Sequence, residues 1–255
     1  MRWLALSLIL LLAGPAATAG SAPGAILIYS GTTGWRHDSI PEGIRAVEAI
    51  ARERGLLVTS SEDPAVFSTA SLNRFSAIVL LSSTSDPKDP KSEWLVGERR
   101  AALQQFVARG GGVVAIHGAA DSHYNWPWYG KLIGARFARH PPGTPTGAVH
   151  VVSTNEPLVR GMPRAMQRTD EWYYFDDYDP TSSLLVTLDP ASIGEPDANP
   201  NPIAWIRKVD GGRVFYTAMG HTKESYSEPY VRRHIGNGLD WVLRRPASGR
   251  AVRPR

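Results

Sequence analysis

The sequence predicts one α/β domain built on a mainly parallel sheet. Short apolar runs alternate with amphipathic stretches at βαβ spacing, and several of those runs stop at a small polar loop. The stretch RGGGVVAIHGAAD, residues 109–121, shows the unit in miniature: glycines end a helix, Val113 to Ile116 form an apolar strand, and His117 follows at once. Strands apolar on both faces belong to parallel sheets covered by helices on either side. Right-handed crossovers bring their carboxyl ends to one edge, where open α/β sheets bind ligands. His117 is therefore the first candidate for chemistry.

Residues 25–29, AILIY, form the first strand and lead into a small polar loop that carries Trp35, Arg36 and His37. Ile40, Ile44, Val47 and Ile50 recur at helical spacing, with Pro41 suited to the first turn and Gly55 to the stop. The glycines of the loop follow neither the dinucleotide nor the phosphate-loop spacing, so no nucleotide or flavin is indicated. Residues 56–59 and 77–81 make the second and third strands, and the SSTSDPKDPK segment that follows reads as a polar surface loop. Leu95, Leu103, Phe106 and Val107 suggest the helix leading into the glycine run. Downstream of His117, Trp126, Trp128, Tyr129 and Phe137 are each candidates for the core and together a candidate wall for a sugar cleft.

Further strands are expected at 147–152, 184–188, 203–209 and 212–219, the last ending at Gly220 and His221. Between them, Asp170 and Glu171 stand side by side; on a strand only one could face a given side, so one of the two is expected to be solvated. A closing helix over 229–243 would pack Ile235, Leu239 and Val242. There is no internal repeat and no second core.

The 255 residues, 42% hydrophobic and 20% charged, suffice for one such domain. Arg2, the apolar run at 4–12, the Gly14-Pro15 break and Ala17-Thr18-Ala19 fit the three parts of an export signal over residues 1–19. The run is far short of the roughly 20 apolar residues of a membrane span. The expectation is a periplasmic or secreted protein, with the domain over 25–245 and a basic, disordered tail over 246–255. Cysteine is absent, which excludes disulfide stapling and any thiol nucleophile. Setting aside Arg2 with the signal and Arg250, Arg253 and Arg255 with the tail takes the formal charge from +4 to 0, so the body offers no basic surface to nucleic acid.

Seven histidines occur. His150 falls inside a strand and His234 on a helix, positions of packing or surface, while His123 and His140 border the aromatic segment. His37, His117 and His221 each follow a strand end and are expected to converge on one pocket, with the Trp126–Tyr129 segment and Asp170 or Glu171 at its rim. Three readings stand open. The imidazoles and a carboxylate act as general acid and base; or His37, His117 and His221 hold a divalent, zinc-like metal; or the chain is a sugar-binding or scaffold domain without turnover. Trp35, Arg36, Trp126, Trp128, Tyr129, His140 and Glu224 are the candidates for substrate contact.

The stretches GGGVVAIHGA, WPWYGKLIGARFARHP, TDEWYYFDDY, PIAWIRKVDGGRVFYTAMGH and HIGNGLDWVL, in this order over most of the chain, resemble the ThuA-like family, named for trehalose utilisation. WRHDS at 35–39 fits as well, since the family has a histidine in its first strand-end loop. The resemblance implies a flavodoxin-like three-layer α/β/α sandwich, similar to class I glutamine amidotransferases. Those enzymes place a cysteine at the elbow and His-x-Glu after a late strand. Here His117 stands at or beside the elbow, His221 with Glu224 follows the late strand, and the missing cysteine rules out a glutaminase. The resemblance also implies a small carbohydrate as partner, in the catabolism of trehalose-type disaccharides, including routes through 3-keto sugars. A carbonyl there acidifies the neighbouring C–H groups and opens enolisation, epimerisation or β-elimination to modest acid/base catalysts. The expected function is an exported carbohydrate-processing enzyme.

Overall fold

The computed structural model describes residues 24–153, 157–197 and 199–245. The stretches expected to be an export signal (1–19) and a basic tail (246–255) lie outside the described residues. In chain order the elements are β1 (Ala25–Tyr29), α1 (Ile40–Glu53), β2 (Leu57–Ser61), α2 (Thr69–Leu72), β3 (Ala77–Leu81), α3 (Glu98–Ala108), β4 (Gly112–Ile116), α4 (Pro127–Ile133), β5 (Arg136–Arg139), β6 (Thr146–Val151), β7 (Ala165–Thr169), β8 (Tyr174–Asp176), β9 (Ser183–Leu188), β10 (Asn201–Val209), β11 (Gly212–Thr217) and α5 (Pro229–Val242).

A nine-stranded sheet runs in the order β2-β1-β3-β4-β11-β10-β9-β6-β7. The first five strands are parallel. The other four extend the sheet antiparallel. The parallel half follows from the apolar runs: every residue of β3 (AIVLL) and β4 (GVVAI) is buried, as strands covered on both faces must be. The edges are polar, LVTSS in β2 and AMQRT in β7. α1 buries Ile40, Val47 and Ile50 and packs beside α5, while α2 packs on α3. The result is the expected three-layer α/β sandwich, with β1, β4 and β11 ending at one edge.

Two parts differ from the sequence reading. Ser82, Ser83, Thr84 and Ser85 are buried rather than running over the surface, because they tie neighbouring backbone together. Ser82 N–H donates to the Ile116 carbonyl at 3.1 Å, and the Ser83 hydroxyl donates to the Tyr29 carbonyl at 3.0 Å. Only from Asp86 onward does the segment reach solvent. Second, β5 and β8 pair as a separate antiparallel ribbon. It brings Phe137 and Tyr173 against the carboxyl end of β4, with ring centroids 4.2 Å apart and Tyr173 4.3 Å from His117.

Candidate functional site

His117 opens a 3₁₀ turn directly after β4 and is fully buried with a φ of +48°. A left-handed backbone at a residue with a side chain costs about 1–3 kcal/mol and persists only where its surroundings hold it. Here the hold is explicit. Tyr216 from β11 donates to the His117 carbonyl at 3.0 Å, and His117 Nδ1–H donates to the Ala218 carbonyl at 2.8 Å. With Nδ1 protonated, Nε2 carries the lone pair.

His37 reaches the same place from the loop after β1. That loop is pinned to the end of β3 by Thr33 N–H donating to the Thr84 carbonyl at 3.1 Å and by the Thr84 hydroxyl donating to the Trp35 carbonyl at 2.7 Å. Gly34 permits the close approach, since a Cβ there would stand 2.8 Å from the Ser85 carbonyl carbon. Gly118 makes room for the ring: its Cβ would stand 3.0 Å from His37 Cε1. Burial, with His117 and His221 adding to it, pushes the His37 pKa down to about 2.

His221 follows β11 through Gly220, whose φ is +130°. The Asp170 carboxylate clamps this turn, accepting from Gly220 N–H at 3.0 Å and His221 N–H at 3.1 Å, and is itself held by Arg168 at 2.7 Å. Asp170 therefore positions His221 and does not face the other histidines. Glu171 does. The expectation that one of this acidic pair is solvated is corrected: both are buried, because they lie between β7 and β8 rather than on a strand, and strand alternation does not apply.

One ligand atom from each of His37, His117, Glu171 and His221 lies within 4.8 Å of all the others. His117 Nε2 is 3.1 Å from His37 Nε2. Glu171 Oε2 is 3.3 Å from His117 Nε2 and 3.1 Å from His221 Nδ1. His221 Nδ1 makes no aligned hydrogen bond despite that proximity. Side chains that approach without pointing at one another converge on a common point. Two facing imidazole nitrogens need a proton or a cation between them, and burial disfavours protonating His37. His37 Nδ1 is buried without a partner in either tautomer. A tetrahedral zinc-like ion with ligands at about 2.0–2.2 Å has ligand-to-ligand edges of about 3.3–3.6 Å, close to the three separations of 3.1–3.3 Å, and the donor set fits a divalent cation. Burial works against ionising Glu171, but the His117 and His221 imidazoles outweigh it and hold the carboxyl well below the usual range. Glu171 in turn raises the His221 pKa.

His140 stands at the mouth, its side chain 38% exposed and its Nδ1 3.3 Å from Glu171 Oε1, near-parallel to the Tyr173 ring. Trp35 is 72% exposed on the His37 loop. Arg36 is also exposed and pairs with Glu62 at 2.7 Å. The remaining candidates lie elsewhere. Glu224 is exposed on a 3₁₀ turn and is not one of the converging groups, so Glu171 fills the carboxylate place that His-x-Glu suggested. Trp126 and Tyr129 pack with His123 at 6.0 and 4.7 Å, and Trp128 stacks on Trp126 and donates to Asp210 at 2.8 Å. They fill space around His123 because the bend after Asp121 turns their helix toward α3's leader, where Trp94 meets His123 at 4.4 Å. The rings that do touch the cluster are Tyr173 and, behind it, Phe137.

A family model described as ThuA, trehalose utilisation, matches residues 25–242. A ThuA-like protein from Bacteroides uniformis has a TM-score of 0.72 at 22% identity, over 90% of this chain and 95% of that one. Another from Parabacteroides merdae has a TM-score of 0.67 at 17% identity, over 92% and 93%. A cytoplasmic protein from Salmonella typhimurium has a TM-score of 0.62 at 12% identity, over 86% and 98%. At these identities the likeness speaks for the fold. No protein with a curated description matches. The family model spans nearly all of the described chain, and the chain belongs to the ThuA trehalose-utilisation family.

Proposed function

We propose that this chain is a carbohydrate-processing enzyme that acts on a keto-sugar or glycoside, by acid/base or metal-assisted chemistry, at His37, His117, Glu171 and His221. The observation that carries the reading is the convergence of three imidazoles and a carboxylate on one buried point. Stability does not account for it: burying facing imidazoles costs free energy, and His117 adds backbone strain. These four side chains would hold a divalent ion, which when bound polarises a substrate oxygen.

The surrounding residues prepare the site. The Ala218 carbonyl fixes the His117 tautomer so that Nε2 faces inward, the role of an outer partner to a ligating histidine. Asp170 fixes the backbone that presents His221. Tyr173 and Phe137 close one side against water, and His140, at the mouth, is placed to exchange protons with solvent. Trp35 offers an exposed flat face suited to the apolar side of a sugar ring. The family's link to trehalose utilisation supports a carbohydrate substrate. The pattern over residues 1–19 supports an export route to a compartment where such sugars arrive.

The test is His117→Ala, assayed for binding and turnover of trehalose, glucosides and their 3-keto derivatives. Turnover falls by at least the 10²–10⁴-fold typical of one positioned acid/base group, with sugar binding kept. A wild type that binds these sugars but converts none is a binding domain instead, and one that neither binds nor converts any is not a carbohydrate protein.

A further inference from the structure

A cavity of about 230 Å³ opens between α1, the turn after His221 and α5. Its charged lining is Glu42 and Arg45 of α1, Lys223 of the turn and Arg232 of α5. Tyr226, almost fully buried, backs it. A Cβ at Gly43 would stand 2.9 Å from Tyr226 Cζ and one at Gly220 2.8 Å from its Oη, so the ring is wedged between α1 and the turn that presents His221. None of His37, His117, Glu171 and His221 lines the cavity, which makes it a place apart from the histidine cluster. Three cations against one carboxylate leave the lining a formal charge of +2. Arg45 donates to Glu42 at 2.6 Å, and Arg232 donates to the Tyr226 carbonyl at 3.4 Å. Glu53, outside the lining, approaches Arg232 only to 3.9 Å. Lys223 is exposed, and its Nζ has no hydrogen bond or ion pair among the described residues. The three cations come from separate segments, so the fold and not a basic run brings them together.

We propose that this cavity is a second ligand site, which binds a small phosphate-bearing anion through Arg45, Lys223 and Arg232. Like charges gathered in one concavity repel one another and raise the local concentration of anions. A phosphate group carries about −1.5 to −2 at neutral pH, which matches the lining, whereas a single carboxylate answers only half of it. Two guanidinium forks and one ammonium suit the several oxygens of a phosphate. The volume is below the roughly 300–1,000 Å³ of sites for drug-sized ligands, so the ligand is inorganic phosphate or a phosphate ester about the size of a monosaccharide. The two walls also connect to the histidine cluster. The Ser39 hydroxyl, at the start of α1, donates to the Gly220 carbonyl at 2.9 Å and ties the loop of His37 to the turn of His221. An anion bridging Arg45 and Lys223 adds a second tie between the same two segments and stiffens the chain that follows His221.

The experiment is calorimetric titration of the full chain with inorganic phosphate and with glucose 6-phosphate, and with acetate at equal ionic strength as the control. Phosphate should bind both the wild type and His117→Ala, since the site does not use the histidine cluster. Arg45→Ala combined with Lys223→Ala, both at exposed positions, should weaken it roughly tenfold or more, and Lys223→Arg should keep it. Acetate should not compete. Tighter binding of glucose 6-phosphate than of phosphate supports the site and identifies an ester as its ligand; equal binding supports it with free phosphate as the ligand. Amide hydrogen exchange on the wild type locates the contact independently: phosphate should protect residues 223–232 and not residues 117–121. Absence of binding in the millimolar range overturns the proposal. So does binding that is lost in His117→Ala and kept in the Arg45/Lys223 double variant, or protection confined to 117–121, either of which places the anion at the histidine cluster.

Discussion

His234 makes the acid stability of the fold calculable. It lies on α5 with no exposed surface, its Nδ1–H donating to the Leu158 carbonyl at 2.9 Å and its Nε2 without a partner. Burial pushes its pKa from 6.5 down to about 4; nearby Arg168 adds to this and the Leu158 bond opposes it. The folded chain thus refuses a proton that the unfolded chain accepts below pH 6.5. Stability from this group is whole above that value and lost as the pH falls, until the folded ring protonates near pH 4. The gap is worth about 3 kcal/mol at its acid limit, of which about 2 kcal/mol is lost between pH 7 and 5. His123, pushed down to about 3 by burial, adds to the same trend. His234→Gln keeps an N–H for Leu158 and does not titrate. Urea unfolding at pH 7 and pH 5 should therefore show the wild type losing about 2 kcal/mol more than the variant over that interval. Parallel losses would refute the assignment of a neutral, buried His234.

Glu171→Gln should cut turnover by 10²-fold or more, on the scale of a positioned acid/base group, while Glu224→Gln stays within twofold (~2) of wild type; steady-state kinetics separates the two carboxylates. Asp170→Asn removes a charge from the buried pair with Arg168, and urea unfolding should show a loss of about 3–5 kcal/mol. Edman sequencing of the mature protein from a secreting host should begin at Gly20; a chain still beginning at Met1 would sink the export reading.

The histidine positions were legible because physics at the strand level is local. AILIY, GVVAI and GRVFYT are apolar enough to be buried strands wherever they occur, and a parallel sheet brings their ends together. His37, His117 and His221 met for that reason. The choice between Asp170 and Glu171 was not legible, since it depends on the chain leaving β7 before it reaches them. Nor was the β5–β8 ribbon, whose strands RFAR and YFD are short, mixed in character and paired across a long loop. The aromatic residues after His117 announced burial without direction: Trp126 and Tyr129 turned toward His123, and Tyr173 from a distant segment took the place beside His117. Ser82 to Ser85 read as solvated because their hydroxyls look polar in isolation, whereas in the fold the Ser83 and Thr84 hydroxyls donate to backbone carbonyls and the Ser85 hydroxyl accepts from His123 N–H.

The claim that His37, His117, Glu171 and His221 form a divalent-metal centre is tested most directly by elemental analysis of protein purified without chelator or affinity-column metal, in parallel with a turnover assay. One divalent ion per wild-type chain, lost together with activity in His117→Ala, is the result predicted. A metal-free wild type with full turnover would contradict it.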